Sequence, residues 1–253
     1  MVPVANEPLK SNLTLRILSS LFLVGITIVS LSHGSPLFEA LLFIAFLFLM
    51  YELKQLPFKG NADALRQGSF FVALYLVISF LSVYWLFDTN PDLVFWLFCI
   101  VWSSDIGGYC AGKFFGGPKV LPKVSPNKTW AGVLGACFLT FFVIALFIEN
   151  TFAGLDIPST YHRGLNSWLW LDTNSSLGWR ETWTNLSSTA ELLVLSLIFS
   201  LLSQIGDFLE SYIKRRLGIK DTGSLIPGHG GLFDRLDGLI FVAPIFALFI
   251  YSL

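Results

Sequence analysis

The chain has 253 residues, 54% of them hydrophobic and only 13% charged, with 25 Phe and a mean hydropathy of +0.69. Soluble domains carry about a quarter charged residues, so half that fraction excludes an ordinary soluble enzyme and predicts an all-α, polytopic integral membrane bundle. A net charge of −1 with no basic tail gives no footing for nucleic acid. Cys99, Cys110 and Cys137 form no CxxC pair and are odd in number, which leaves no zinc site and no disulfide framework to infer.

Residues 1–12 read as a short polar tail. Leu13–Leu31 is the first spanning candidate, with Arg16 near its start. A signal peptide is the rival reading; a retained helix is preferred because membrane segments follow at once. Leu37–Leu53, Phe70–Phe87, Leu93–Ala111, Ala131–Glu149, Leu192–Gly206 and Leu239–Leu253 complete about seven spans. The last is short against the roughly 20 residues a crossing needs. Segments 1–16, 54–69, 112–130 and 207–237 hold 14 of the 16 Lys and Arg residues. The positive-inside rule therefore puts the N-terminus in the cytoplasm and the C-terminus outside. The spans make one membrane-embedded domain over 1–253, with N-terminal helices in 1–94 and the chemically distinctive half in 95–253.

The fourth span reads Val101-Trp-Ser-Ser-Asp105-Ile-Gly-Gly-Tyr109, a carboxylate inside an apolar helix. Such a group is costly there and is a functional candidate, with a structural hydrogen bond as the alternative. The loop behind it carries Lys113, Lys119, Lys123 and Lys128, with Ser125 and Thr129, among Gly and Pro. That suits an anion site or an ordinary basic cytoplasmic loop. Residues 150–189 form an external loop with Trp168, Trp170, Trp179 and Trp183, read as an interfacial cover.

Gly206–Gly238 concentrates five of the seventeen carboxylates and five of the sixteen Lys and Arg residues. Asp207, Glu210, Ser211 and Lys214 share one face of a helical period. Gly218 ends that helix, and Lys220-Asp221 leads into the glycine loop Pro227-Gly-His229-Gly230-Gly231. A second helix starts near Asp234-Arg235-Leu236-Asp237. Carboxylates suit a hard cation, whereas Lys, Arg and loop N–H groups suit phosphate. Singly, each feature has a plain alternative: Asp234 as a helix cap, the glycines as a turn, Lys214-Arg215-Arg216 as flanking charge.

Together, Ser211-x-x-Lys214-Arg215, Lys220-Asp221, Pro227-x-His229-Gly230-Gly231 and Asp234-Arg235-x-Asp237 resemble the signature of the phosphatidate cytidylyltransferase (CDP-diacylglycerol synthase) family. The Asp105-x-Gly-x-Tyr and Ser125-Pro-x-Lys128-Thr129 blocks resemble its other motifs, except that Ala131 stands where the family pattern has Glu. The front of the chain has fewer spans than the nine associated with the family. The resemblance implies transfer of CMP from CTP to phosphatidate, with Mg²⁺ on Asp207 and Asp234 and room for a second cation. It implies catalytic roles for Lys214, Arg215, Lys220, Asp221, His229, Arg235 and Asp237. Substrate contacts would come from Asp105, Ser125, Lys128, Thr129, Ser211, Gly230 and Gly231. It points to a bacterial inner membrane with the site facing the cytoplasm, and it leaves a homodimer open. A CTP-dependent enzyme for another lipid, a transporter, or an inactive relative (because of Ala131) are the rival readings.

Overall fold

The computed structural model describes residues 9–56, 62–152, 189–219, 221–223 and 230–252. Seven helices are seen among them: α1 (Leu9–His33), α2 (Leu37–Gln55), α3 (Ala62–Thr89), α4 (Pro91–Phe115), α5 (Trp130–Phe152), α6 (Thr189–Leu217) and α7 (Phe233–Ser252). Between α4 and α5 lies an antiparallel hairpin of β1 (Lys119–Leu121) and β2 (Ser125–Thr129), with Lys119 opposite Thr129 and Leu121 opposite Ser125. The sequence by itself reads here as a loop, either an anion site or an ordinary basic loop, with no strand expected; Pro122 and Pro126 interrupt the alternation that marks one.

Among the described residues, three helical stretches are long and apolar enough to cross a membrane: Gly68–Thr89, Pro91–Phe115 and Leu193–Leu217. Leu18–His33 and Trp130–Leu146 are shorter apolar runs. Bulky apolar side chains face outward along these helices, among them Phe70, Phe71, Leu134 and Phe138. That is the expected surface of a membrane protein, whose solvent is hydrocarbon.

The core lies where α3, α4, α6 and α7 meet. Leu86, Val94, Leu97, Phe199, Val242 and Phe246 are buried there in one cluster. Helix α7 carries Pro244 in its interior. Proline lacks an N–H, so the carbonyl four residues back, that of Ile240, loses its helical partner. Ser79 of α3 donates to that carbonyl at 2.7 Å, and Tyr75 donates to the Phe241 carbonyl at 3.0 Å. A neighbouring helix thus satisfies what the proline frees, as hydrocarbon requires.

Helices α4 and α5 approach closely through glycine. A methyl on Gly132 would stand 2.8 Å from the Gly108 carbonyl oxygen, and one on Gly112 would stand 3.1 Å from Thr129 Oγ1. Small residues at this spacing let two membrane helices pack backbone to backbone. Ser103 with Thr140 and Ser104 with Ser200 add interhelical hydrogen bonds deeper in the bundle. The tight α4–α5 pair carries the β-hairpin at one end, which brings that hairpin against α6.

Candidate active site

Two clusters of polar side chains adjoin at this end of the bundle. The first is a cleft of ≈ 530 Å³ whose walls come from α4, β1, β2, α5 and α6. Asp105 stands exposed in it from α4, with Ser104 and Tyr109 on either side. Thr129 ends β2 and is buried; its Oγ1 accepts the Gly132 N–H at 3.1 Å, capping the first turn of α5. That cap fixes the hairpin against the helix and delivers the preceding residue, Lys128, into the cleft. The Lys128 ammonium donates to Asp207 of α6 and sits 4.7 Å from the centre of the Phe208 ring. Lys113, Lys119 and Asn127 line the same cleft.

The second cluster surrounds the turn between α6 and α7. Lys214 is held between Glu210 and Asp234, 2.7 Å from each. Asp234 accepts from Lys214 at Oδ1, while its Oδ2 accepts the N–H groups of Thr222 at 3.0 Å and Gly231 at 2.8 Å. Asp234 lies ahead of the apolar stretch that begins at Leu239. Burial works against its charge, but hydrogen bonding with Glu210 and Lys214 and with the two backbone N–H groups outweighs it. The carboxyl is held at about 2, below the ordinary carboxylate range. Gly230 has φ +85, and a methyl there would meet Asp234 Oδ2 at 2.7 Å. Glycine is therefore required both for the left-handed backbone and for the close approach.

The clusters join through the crossing of α6 and α7. A methyl on Gly206 would meet the Asp237 carbonyl oxygen at 2.8 Å, and one on Gly238 would come within 3.5 Å of Asp207 Oδ1. Asp237 lies within electrostatic reach of Asp207, Glu210 and Asp105. Four carboxylates thus surround one crossing, of which Asp207 pairs with Lys128 and Glu210 with Lys214.

The residues singled out from the sequence separate accordingly. Asp105, Lys128, Thr129 and Asp207 line the cleft. Lys214, Gly230, Gly231 and Asp234 build the turn, with Asp221 exposed beside Gly230. Asp237 hydrogen-bonds the N–H of Gly238, and Arg235 is exposed. Ser125 pairs with Leu121 at the far end of β2, away from the cleft lining. Ser211 and Arg215 lie in the last turns of α6, Arg215 exposed. Lys220 and His229, like most of the external loop 150–189, lie outside the described residues.

The sequence reading passed over Glu52. This α2 side chain is 3% exposed, and its carboxylate accepts the N–H groups of Leu232 at 2.7 Å and Phe233 at 2.9 Å. The signal was available, since a carboxylate near the end of an apolar helix is the feature that drew attention to Asp105. Gln204, which also lines the cleft, was missed in the same way.

The profile of the cytidylyltransferase family matches residues 4–253. The chain belongs to this family. It is 33% identical over 240 residues to a phosphatidate cytidylyltransferase of Rickettsia felis, covering 93% of this chain and 91% of that one. A phosphatidate cytidylyltransferase of Rickettsia bellii is 32% identical over 245 residues, covering 96% and 92%. One from Brucella melitensis biotype 1 is 36% identical over 158 residues, covering 62% of this chain and 46% of that one. The matches to the family and to the Rickettsia proteins take in the N-terminal helices, so Glu52 and α2 lie within the family's extent.

The sequence resemblance implies a divalent cation, and the cleft offers oxygen donors for one. Among the described residues, no three His, Cys, Asp or Glu side chains converge closely enough to hold a metal ion alone. Mg²⁺ does not ask for that: it binds through one or two carboxylates and completes its shell with water and substrate phosphate. Asp105 and Asp207 at the cleft, with Asp237 behind them, supply hard oxygen donors where a polyphosphate would otherwise be repelled. The residues fit the ion.

Proposed function

We propose that this protein transfers CMP from CTP to phosphatidate, giving CDP-diacylglycerol and pyrophosphate. Family membership and the names of its relatives support the reaction class and both substrates. The observation that carries the reading to particular side chains is the cleft, where Lys113, Lys119 and Lys128 face Asp105 and Asp207. Cations for phosphate and carboxylates for a metal meet there at the end of a membrane bundle, where a lipid head group and a soluble nucleotide can both arrive.

In the reaction a phosphate oxygen of phosphatidate attacks the α-phosphorus of CTP, and the bond to the β-phosphate breaks to release pyrophosphate. Positioning and neutralisation of charge supply the acceleration. Asp207 would hold Mg²⁺, with Asp105 and Asp237 beside it, and the ion would supply charge neutralisation on the polyphosphate. Lys128, which pairs with Asp207 in the cleft, would turn to a substrate phosphate, and Lys113 and Lys119 would hold phosphates beside it. Asp234 has each oxygen engaged by protein donors, so it serves better as the organiser of the turn than as a metal ligand. Arg235 sits beside it for the triphosphate, and Lys220 and His229 belong to the same motif.

The excess of Lys and Arg in alternate segments favours a cytoplasmic setting for this end of the bundle, in a seven-span chain whose C-terminus would lie outside. For a bacterial protein that membrane is the inner one.

The test is purified protein in detergent with labelled CTP, Mg²⁺ and phosphatidate. A labelled liponucleotide and pyrophosphate are expected, and no product with phosphatidate but product with another phospholipid would overturn the substrate assignment. Asp207→Asn should lower turnover at least about 100-fold, the scale of removing one preorganised electrostatic partner. Near-normal turnover across a Mg²⁺ series would remove Asp207 from the metal site.

A further inference from the structure

We infer that Glu52, on the second helix and remote in sequence from the motifs, is a positioning residue for the nucleotide half of the site. This rests on the reading of the chain as a CTP-dependent transferase. Three consecutive N–H groups lead into helix α7, those of Gly231, Leu232 and Phe233, the last being its first residue. Asp234 takes the first, and Glu52 takes the second and third, one on each carboxylate oxygen. No lysine or arginine pairs with Glu52 among the described residues. Its buried charge is balanced by the positive end of α7 and by two charge-assisted hydrogen bonds.

The turn is shaped around this carboxylate. A methyl on Gly223 would meet Glu52 Oε1 at 2.9 Å, and one on Gly231 would meet Oε2 at 2.8 Å. Glycine at 223 and 231 leaves room for the carboxylate of a distant helix, and at 231 for Thr222 as well, whose Oγ1 a methyl would strike. Because α7 carries Asp234, Arg235 and Asp237, Glu52 fixes where those groups stand relative to Asp207 on α6. The N–H groups of Leu232 and Phe233 also cease to be a phosphate cradle, since a carboxylate already occupies that helix end. Glu52 therefore directs the nucleotide to side chains and cation and away from the backbone amides of the helix.

Glu52→Gln keeps the size but leaves one amide N–H facing a backbone N–H. The expected result is a rise of about tenfold or more in the KM for CTP and in the Mg²⁺ concentration for half-activation, the scale of one lost charge-assisted hydrogen bond. The KM for phosphatidate should stay within about twofold. Stabilisation of the detergent-solubilised protein by CTP and Mg²⁺ against heating should shrink in parallel. Glu39→Gln, at the other end of α2 where Glu39 accepts only from Ser35, should change none of these. Unchanged CTP and Mg²⁺ dependence in Glu52→Gln, or an equal rise in both substrate KM values, would overturn the inference. The wild-type protein separates the two ideas: if CTP neither stabilises it nor reacts, the transferase reading fails. The clamp is then read by trypsin cutting at Arg215, Arg216 and Lys220, where faster cutting in Glu52→Gln supports it and equal cutting overturns it.

Discussion

At the scale of single residues, the two clusters show how one residue type serves different ends. Asp105 is exposed in a cleft, Asp207 faces a lysine, and Asp234 accepts three donors in a half-closed turn. Only the partners distinguish them. Ala131, where the family pattern has Glu, lies in the first turn of α5, two residues beyond the Thr129 cap. The capping hydrogen bond is complete without a carboxylate at 131, and Lys128 reaches Asp207 regardless. The native chain should therefore be active. Ala131→Glu should leave turnover nearly unchanged and add about 0.3–1 kcal/mol of stability by placing an acid at a helix N-terminus. Liponucleotide formation by both forms, at matched Mg²⁺ and CTP, checks this; a silent native chain rescued by Glu would assign the missing acid a chemical role. Thr129, legible in the sequence as a hydroxyl in a basic loop, proves to cap a helix, a role that depends on where α5 starts.

At the scale of elements, the helices follow from the apolar runs, and their contacts follow from the exceptions within those runs. Gly108, Gly112 and Gly132 let α4 and α5 meet at backbone distance. Pro244 breaks the hydrogen-bond ladder of α7, and Ser79 and Tyr75 of α3 repair it. Ser79→Ala should expose the Ile240 carbonyl to an apolar contact and destabilise the bundle by about 0.6–1.7 kcal/mol, the range of hydrogen bonds between membrane helices. Unfolding in a mixed-detergent titration measures it. Pro244→Ala should reduce that loss by restoring the intrahelical partner, so the double variant should be less destabilised relative to Pro244→Ala than Ser79→Ala is relative to the native chain. The β1–β2 hairpin was the element least legible beforehand. Its strands are short, with Pro126 in the second and Pro122 in the turn between them, and are held by the helix cap at Thr129 as much as by their own pairing.

At the scale of the whole molecule, the charge distribution carries the expected orientation, and tertiary packing brings the candidate site together. In a background lacking the three native cysteines, Trp170→Cys should react with an impermeant thiol reagent in intact cells. Lys119→Cys should react only after permeabilisation. The reverse pattern would turn the cleft away from the cytoplasm and from CTP. Sequence alone determined the membrane class, because 13% charge and long apolar runs admit little else. It also determined the family, because the Asp207–Asp237 motif keeps its polar residues in order across a turn whose spacing is local. What it could not give was which carboxylate meets which cation. Lys128 and Asp207 are 79 residues apart, and Glu52 lies 180 and 181 residues before the amides it binds. Those pairings depend on where the packed helices cross, which close glycine contacts help set between α4 and α5 and between α6 and α7, and no periodicity along the chain encodes it. The tertiary structure alone made α2 part of the site, since a helix end needs an acceptor but does not specify from which part of the chain it comes.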